Sequence, residues 1–195
     1  IDDKPKILPF VFPLKSTTGS DLVIKLQELM AHLQLPAYRH VQGTRVTQFR
    51  SDQGTNLTSE VMRTFLREQN ILQLCSPSHQ PQSNGLVERM VGLMKTATRR
   101  LLQSANLDYS YWTYAVQFAA QMMREKAMSK PWPYPLFGEL VVVKTLANRQ
   151  QQHSLSARGK VGQFLAIDLY QSQERRVLFN GTCLLYTSPS PRDRG

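Results

Sequence analysis

The sequence predicts a mixed α/β fold on three observations. Short apolar runs of strand-like composition alternate with longer stretches whose apolar residues recur every three or four positions. Prolines and polar clusters punctuate the boundaries between them. The 195 residues suffice for one ordinary domain with a small appendage and are too few for two full domains, so one main hydrophobic core is expected.

Taken in order, Ile7 to Leu14 is apolar and aromatic and reads as a strand. Pro9 and Pro13 place it at a sheet edge or a bulge, because proline donates no ladder hydrogen bond. Ser20 is the candidate cap of a helix with Leu22, Leu26, Leu29, Met30 and Leu33 on one face, and Pro36 ends it. Arg45 to Arg50 reads as a short strand with Val46 and Phe49 inward. It delivers Asp52 at its carboxyl end, where ligand sites of open α/β sheets collect. Thr58 or Ser59 opens a second helix with Met62, Phe65, Leu66 and Gln69 on one side, and Ile71 to Cys75 is strand-like. Ser76 to Gly85 is a polar loop rich in Pro, Gln, Ser and Asn, of the kind that touches substrates, and Gly85 is expected to supply a positive-φ turn. The long helix that follows carries Val87, Met90, Val91, Met94 and Leu101 as its apolar residues, with Glu88 in its first turn.

Tyr109 to Lys126 reads as a further helix whose apolar side holds Trp112, Ala115, Val116, Ala119, Met122 and Met123, ended by Pro131, Pro133 and Pro135. That spacing signals core packing or a contact between copies rather than a cofactor pocket. Leu140 to Leu146, Gly162 to Leu169 and Arg176 to Phe179 read as strands, with a Gln- and Ser-rich stretch from Asn148 to Arg158 after the first. Leu184 to Gly195 resembles the translation of a synthetic sequencing adapter, and a disordered tail is expected there.

The formal charge is +10 at pH 7, which points to a polyanionic partner, nucleic acid before membrane. No run of roughly 18 apolar residues is present to span a bilayer, and the amino end shows no signal segment, so a soluble intracellular protein is expected. Cys75 and Cys183 are too few for a disulfide framework. His32, His40, His79 and His153 are scattered, and none pairs with a cysteine or histidine at zinc-ligand spacing.

The chemistry is carried by two acids in distinctive settings, with thirty-five residues between them: Asp52 in Arg-Ser-Asp-Gln-Gly-Thr-Asn, and Glu88 in Pro-Gln-Ser-Asn-Gly-Leu-Val-Glu-Arg. A lone carboxylate is ordinarily a solvated surface charge; the combined setting carries the argument. Residues from about Ile1 to Leu146 resemble the integrase region of a copia-type LTR retrotransposon Gag-Pol polyprotein, within the retroviral integrase superfamily. Val11-Phe12-Pro13-Leu14-Lys15-Ser16 resembles that family's second core strand. Arg50 to Gly54 resembles the setting of its second acid, and the block from Cys75 to Arg89 the loop and helix of its third.

The resemblance implies an α/β, ribonuclease-H-like integrase core, a mixed sheet with flanking helices, followed by a small β-rich carboxyl-terminal extension. It implies metal-dependent polynucleotidyl transfer that inserts element DNA into host DNA. Asp52 and Glu88 are the catalytic and metal-holding acids, with two Mg2+ or Mn2+ ions in the intact site. Lys95 and Arg99, seven and eleven positions after Glu88 on one helix face, are candidate DNA contacts, as are Gln82 and Asn84 in the loop. The partners are then the element ends and target DNA, with no membrane, a homo-oligomer, and the nucleus for the integration step. The expected division is 1–104 partial catalytic core, 105–146 helical and strand extension, 147–160 flexible loop, 161–183 small β-rich extension and 184–195 tail.

One departure from the family pattern bears on activity. The family's first acid sits on a strand before the one at Ile7 to Leu14, and the chain begins at Ile1. Asp2 and Asp3 match the acidic pair that opens the second strand rather than that first acid. The expectation is therefore a core lacking its first strand and inactive as it stands. The alternatives are a non-catalytic nucleic-acid-binding remnant of a decayed element, and a ribonuclease H, which the Gln80 to Glu88 block disfavours.

Overall fold

The computed structural model describes residues 7–14, 16–35, 38, 45–76, 85–144, 159–167 and 174–187. The fold is mixed α/β. It divides into two compact units, Phe10–Leu93 and a second formed by Ile1–Pro9 with Met94–Gly195.

In the first unit, helix α1 spans Gly19–Leu33. Its cap is Thr18, two residues before the expected Ser20, and the reason is the acid three positions on. The Thr18 hydroxyl accepts from the Asp21 N–H at 3.3 Å and donates to Asp21 Oδ2 at 2.6 Å, a two-way link that Ser20, with Val23 three positions on, cannot make. Leu22, Leu26 and Met30 of the expected face, with Val23 beside them, pack on a core of Met62, Phe65, Leu66 and Ile71, whereas Leu29 and Leu33 are not part of that cluster. Pro36 lies outside the described residues.

Strand β1, Gln48–Ser51, pairs in parallel with β2, Leu72–Cys75, in the register Gln48↔Leu72 to Ser51↔Cys75. Helix α2, Glu60–Glu68, connects them, with Ser59 as its cap and Met62, Phe65 and Leu66 buried. Gln69 is exposed beyond the helix end rather than on the inner face.

The expected strand at Ile7 to Leu14 is not formed; the described residues there hold no regular secondary structure. Two prolines in eight residues remove the donors a ladder needs. The segment is fixed by other means. In the second unit the carbonyl of buried Pro9 accepts from Arg124 Nη1 at 2.6 Å. In the first, the Phe10 ring meets His32 edge-on at 5.5 Å, and His32 Nε2 lies 3.1 Å from the Tyr38 hydroxyl.

Helix α3 spans Gly85–Ser104. Gly85 is its first helical residue and does not take the positive φ expected of it. Val87 and Val91, expected on the packed face, are 62% and 44% exposed, and burial begins only at Met94, then Thr98 and Leu102. Val87 and Val91 stand seven positions before Met94 and Thr98 and so lie on the same stripe, which the described residues cover only from Met94 onward; Leu86 and Leu93 lie on another side.

In the second unit a single 3₁₀ turn, Tyr109–Tyr111, leads into α4, Trp112–Ala127. The buried side of α4 is Ala115, Phe118, Ala119 and Arg124, whereas Trp112 and Met122 of the expected apolar side are exposed. Phe118 anchors an aromatic cluster, 5.0 Å from Trp132 and 5.6 Å from Phe137 between ring centroids. An antiparallel four-stranded sheet follows in the order β3 (Leu140–Lys144), β4 (Gly159–Ile167), β5 (Glu174–Phe179) and β6 (Thr182–Thr187). β3, expected with the core extension, thus shares one sheet with the β-rich region. Leu184 to Thr187, expected in a disordered tail, belong to β6 and pair with β5 in the register Val177↔Leu184 to Glu174↔Thr187. The hairpin turn at Asn180 and Gly181, both at positive φ, reverses the chain and makes that pairing local.

Candidate functional site

Asp52 is the first residue after β1, and it is exposed. Its Oδ1 accepts the Gly54 N–H at 3.1 Å, a local turn typical of Asp. A β-carbon on Gly54 would stand 3.0 Å from that oxygen, so glycine allows the backbone to close on the carboxylate. The turn is braced beyond itself. The Gly54 carbonyl accepts from the N–H groups of Leu57 and Thr58, each at 3.0 Å, and from the Thr58 hydroxyl at 3.1 Å. From β2, Gln73 Nε2 donates to the Leu57 carbonyl at 2.8 Å.

Because β1 and β2 are parallel, both strands end on the same side of the ribbon, where Ser76 N–H donates to the Ser51 carbonyl at 2.9 Å. The chain leaving β2 runs on to α3, and Glu88 sits in the exposed first turn of that helix. The positive end of the helix dipole favours a carboxylate there. Lys95, Arg99 and Arg100 are exposed further along α3. Gln82 and Asn84 lie outside the described residues.

Asp52 and Glu88 present oxygen donors of the type Mg2+ prefers, and Mg2+ keeps several waters of its own. Among the described residues, no group of three or more His, Cys, Asp or Glu side chains is placed to hold a metal ion. The donor chemistry fits a divalent cation, and the described residues complete no cage for one.

Sequence reasoning singled out both acids as candidates and did not anticipate what braces the turn at Asp52. The Asp-Gln-Gly spacing carried a signal for the turn, since an Asp two residues before a Gly commonly accepts from its own backbone. Gln73 carried none, because its partner Leu57 is sixteen positions away.

No family model matches the chain. Among solved structures, it is similar to the catalytic core domain of BIV integrase in crystal form I, at 17% identity over 62% of this chain and 67% of that one, with a TM-score of 0.40. It is also similar to a chain of the simian T-cell lymphotropic virus intasome in complex with PP2A regulatory subunit B56 gamma. There the identity is 16% over 92% of this chain and 67% of that one, with a TM-score of 0.45.

Proposed function

We propose that this chain is an integrase-type, ribonuclease-H-like core of a copia-type retrotransposon, built for metal-dependent polynucleotidyl transfer on DNA. One observation carries the reading: Asp52 leaves the carboxyl end of a strand paired in parallel with the strand that leads to Glu88 in the first turn of α3. Each acid stands in the local sequence that resembles the family's second or third acid. A divalent ion held by these carboxylates would supply charge stabilisation at phosphorus and a nucleophilic oxygen. The residues themselves orient that ion, Asp52 through its braced turn and Glu88 through the helix start. Lys95 and Arg99 contact DNA phosphates, and the integration step places the protein in the nucleus as an oligomer.

The test is Mn2+ binding to the whole chain by electron paramagnetic resonance, alongside strand transfer from a donor oligonucleotide. Mn2+ bound by the wild type and lost on Asp52→Asn and on Glu88→Gln supports the reading. No Mn2+ binding, or equal binding by all three proteins, defeats it.

A second reading is favoured by the absence of a three-ligand cluster among the described residues: a nucleic-acid-binding module without catalysis. Salt-sensitive DNA binding without Mn2+ retention or strand transfer selects it.

A further inference from the structure

Within the second unit, one face each of α3 and α4 lines an apolar groove. Ala97, Leu101 and Ser104 line it from α3, and Ala119, Met122 and Met123 from α4, around a cavity of about 400 Å³. A second cavity of about 410 Å³ shares Leu101, Ser104 and Met122 with it and continues to Leu136 and Phe137. The lining positions on each helix follow three- and four-residue steps, so each wall is one helix face rather than a loop.

The floor is small and the walls are adaptable. Ala119 is buried, Met122 is 38% exposed and Leu136 58% exposed, so the groove opens to solvent with apolar atoms uncovered by the described residues. Methionine is unbranched and polarisable and repacks around different apolar partners. Across the groove the rims carry one cation each, Arg100 on α3 and Lys126 on α4, both exposed.

We propose that this groove docks an amphipathic helix of a partner protein, its apolar face seated between α3 and α4 and its flanks acidic. Charge selects this occupant. A two-fold contact with a second copy through the same face would bring Arg100 and Lys126 of both copies together, four cations around one apolar seam. An acidic-flanked helix meets each rim with opposite charge and lays residues at i, i+3, i+4 and i+7 along the trough. From Ala97 to Ser104 the α3 wall runs about 10 Å, roughly two turns of such a helix.

The probe is a fluorescent synthetic helix with Leu and Met at i, i+3, i+4 and i+7 and Glu at the flanking positions, titrated against the whole chain by anisotropy. Saturable binding is expected, weakened tenfold or more by Met122→Glu, a substitution at an exposed side chain. The double variant Arg100→Glu with Lys126→Glu is expected to lose the Glu-flanked helix and to gain its Lys-flanked counterpart, an exchange that misfolding cannot produce. Absence of binding, equal binding of both helices by wild type, or insensitivity to the groove variants overturns the proposal. So does displacement of the peptide by an oligonucleotide, or self-association that Met122→Glu abolishes with no peptide bound.

Discussion

At Asp52 the carboxylate shares its turn with a residue chosen for what it lacks. Gly54→Ala places a methyl group 3.0 Å from Asp52 Oδ1 and pushes the exposed carboxylate back by a few tenths of an ångström, weakening its bond with the Gly54 N–H. Weakening one such hydrogen bond predicts Mn2+ affinity reduced by up to roughly fivefold. The thermal midpoint should barely move, since the site is exposed; a midpoint that falls with affinity unchanged would remove the turn's assigned part. Gly138 is the opposite case. It holds φ +79° with the Ala105 Cα 2.9 Å from where a β-carbon would stand. Gly138→Ala is therefore expected to destabilise the second unit by about 2 kcal/mol or more in urea unfolding. Asp21 supplies a pH response. Hydrogen bonds from the Ser16 and Thr18 hydroxyls hold its carboxyl below the ordinary value of 3.8. With the folded value depressed, the cap's contribution is whole above pH 3.8 and is lost as the pH falls through the lower folded value. Amide exchange in the first turn of α1 should accelerate in that acid range, and Asp21→Asn should flatten the dependence.

Among the elements, α2 was the most legible, because Met62, Phe65 and Leu66 recur at helical spacing and a serine stands ready as its cap. All three are buried against Ile71. Phe65→Ala is expected to cost about 3–5 kcal/mol by chemical denaturation, and a loss below about 1 kcal/mol would mean that this core is not packed as described. Helix α3 was legible in extent and in the face it buries, since Val87, Val91 and Met94 share one stripe, but not in where burial begins. An apolar pattern cannot tell which length of a stripe is covered, and the buried part includes Thr98, which hydropathy ranks low. The Thr98 hydroxyl satisfies itself on the Met94 carbonyl at 2.8 Å, which lets it be buried. The segment at Ile7 to Leu14 misled for the converse reason: composition favoured a strand while its prolines withheld the hydrogen bonds. β6 was hidden because Leu184 to Thr187 run into a stretch of foreign-looking sequence, and only pairing with β5 reveals them as strand.

For the whole molecule, the net charge of +10 makes a prediction that no single contact makes. Affinity for duplex DNA should fall by at least about tenfold between 50 and 200 mM salt if two or more phosphates are neutralised, and Lys95→Ala should reduce the log–log slope by about one. A flat salt response would remove nucleic acid from the list of partners. Of the candidate site, the two acids and their strand and helix were readable because each is a local pattern. The brace from Gln73 and the α3–α4 groove were not, since both depend on which residues meet across the fold. The parallel β1–β2 ribbon has a further consequence. One residue inserted between Val46 and Phe49 would turn Phe49 toward water and Arg50 toward the apolar interior. It would also slide the carboxylate about 3.3 Å along its track. A frame of only four rungs thus behaves as a ratchet, in which the acid's position is counted in whole residues and tolerates no intermediate setting.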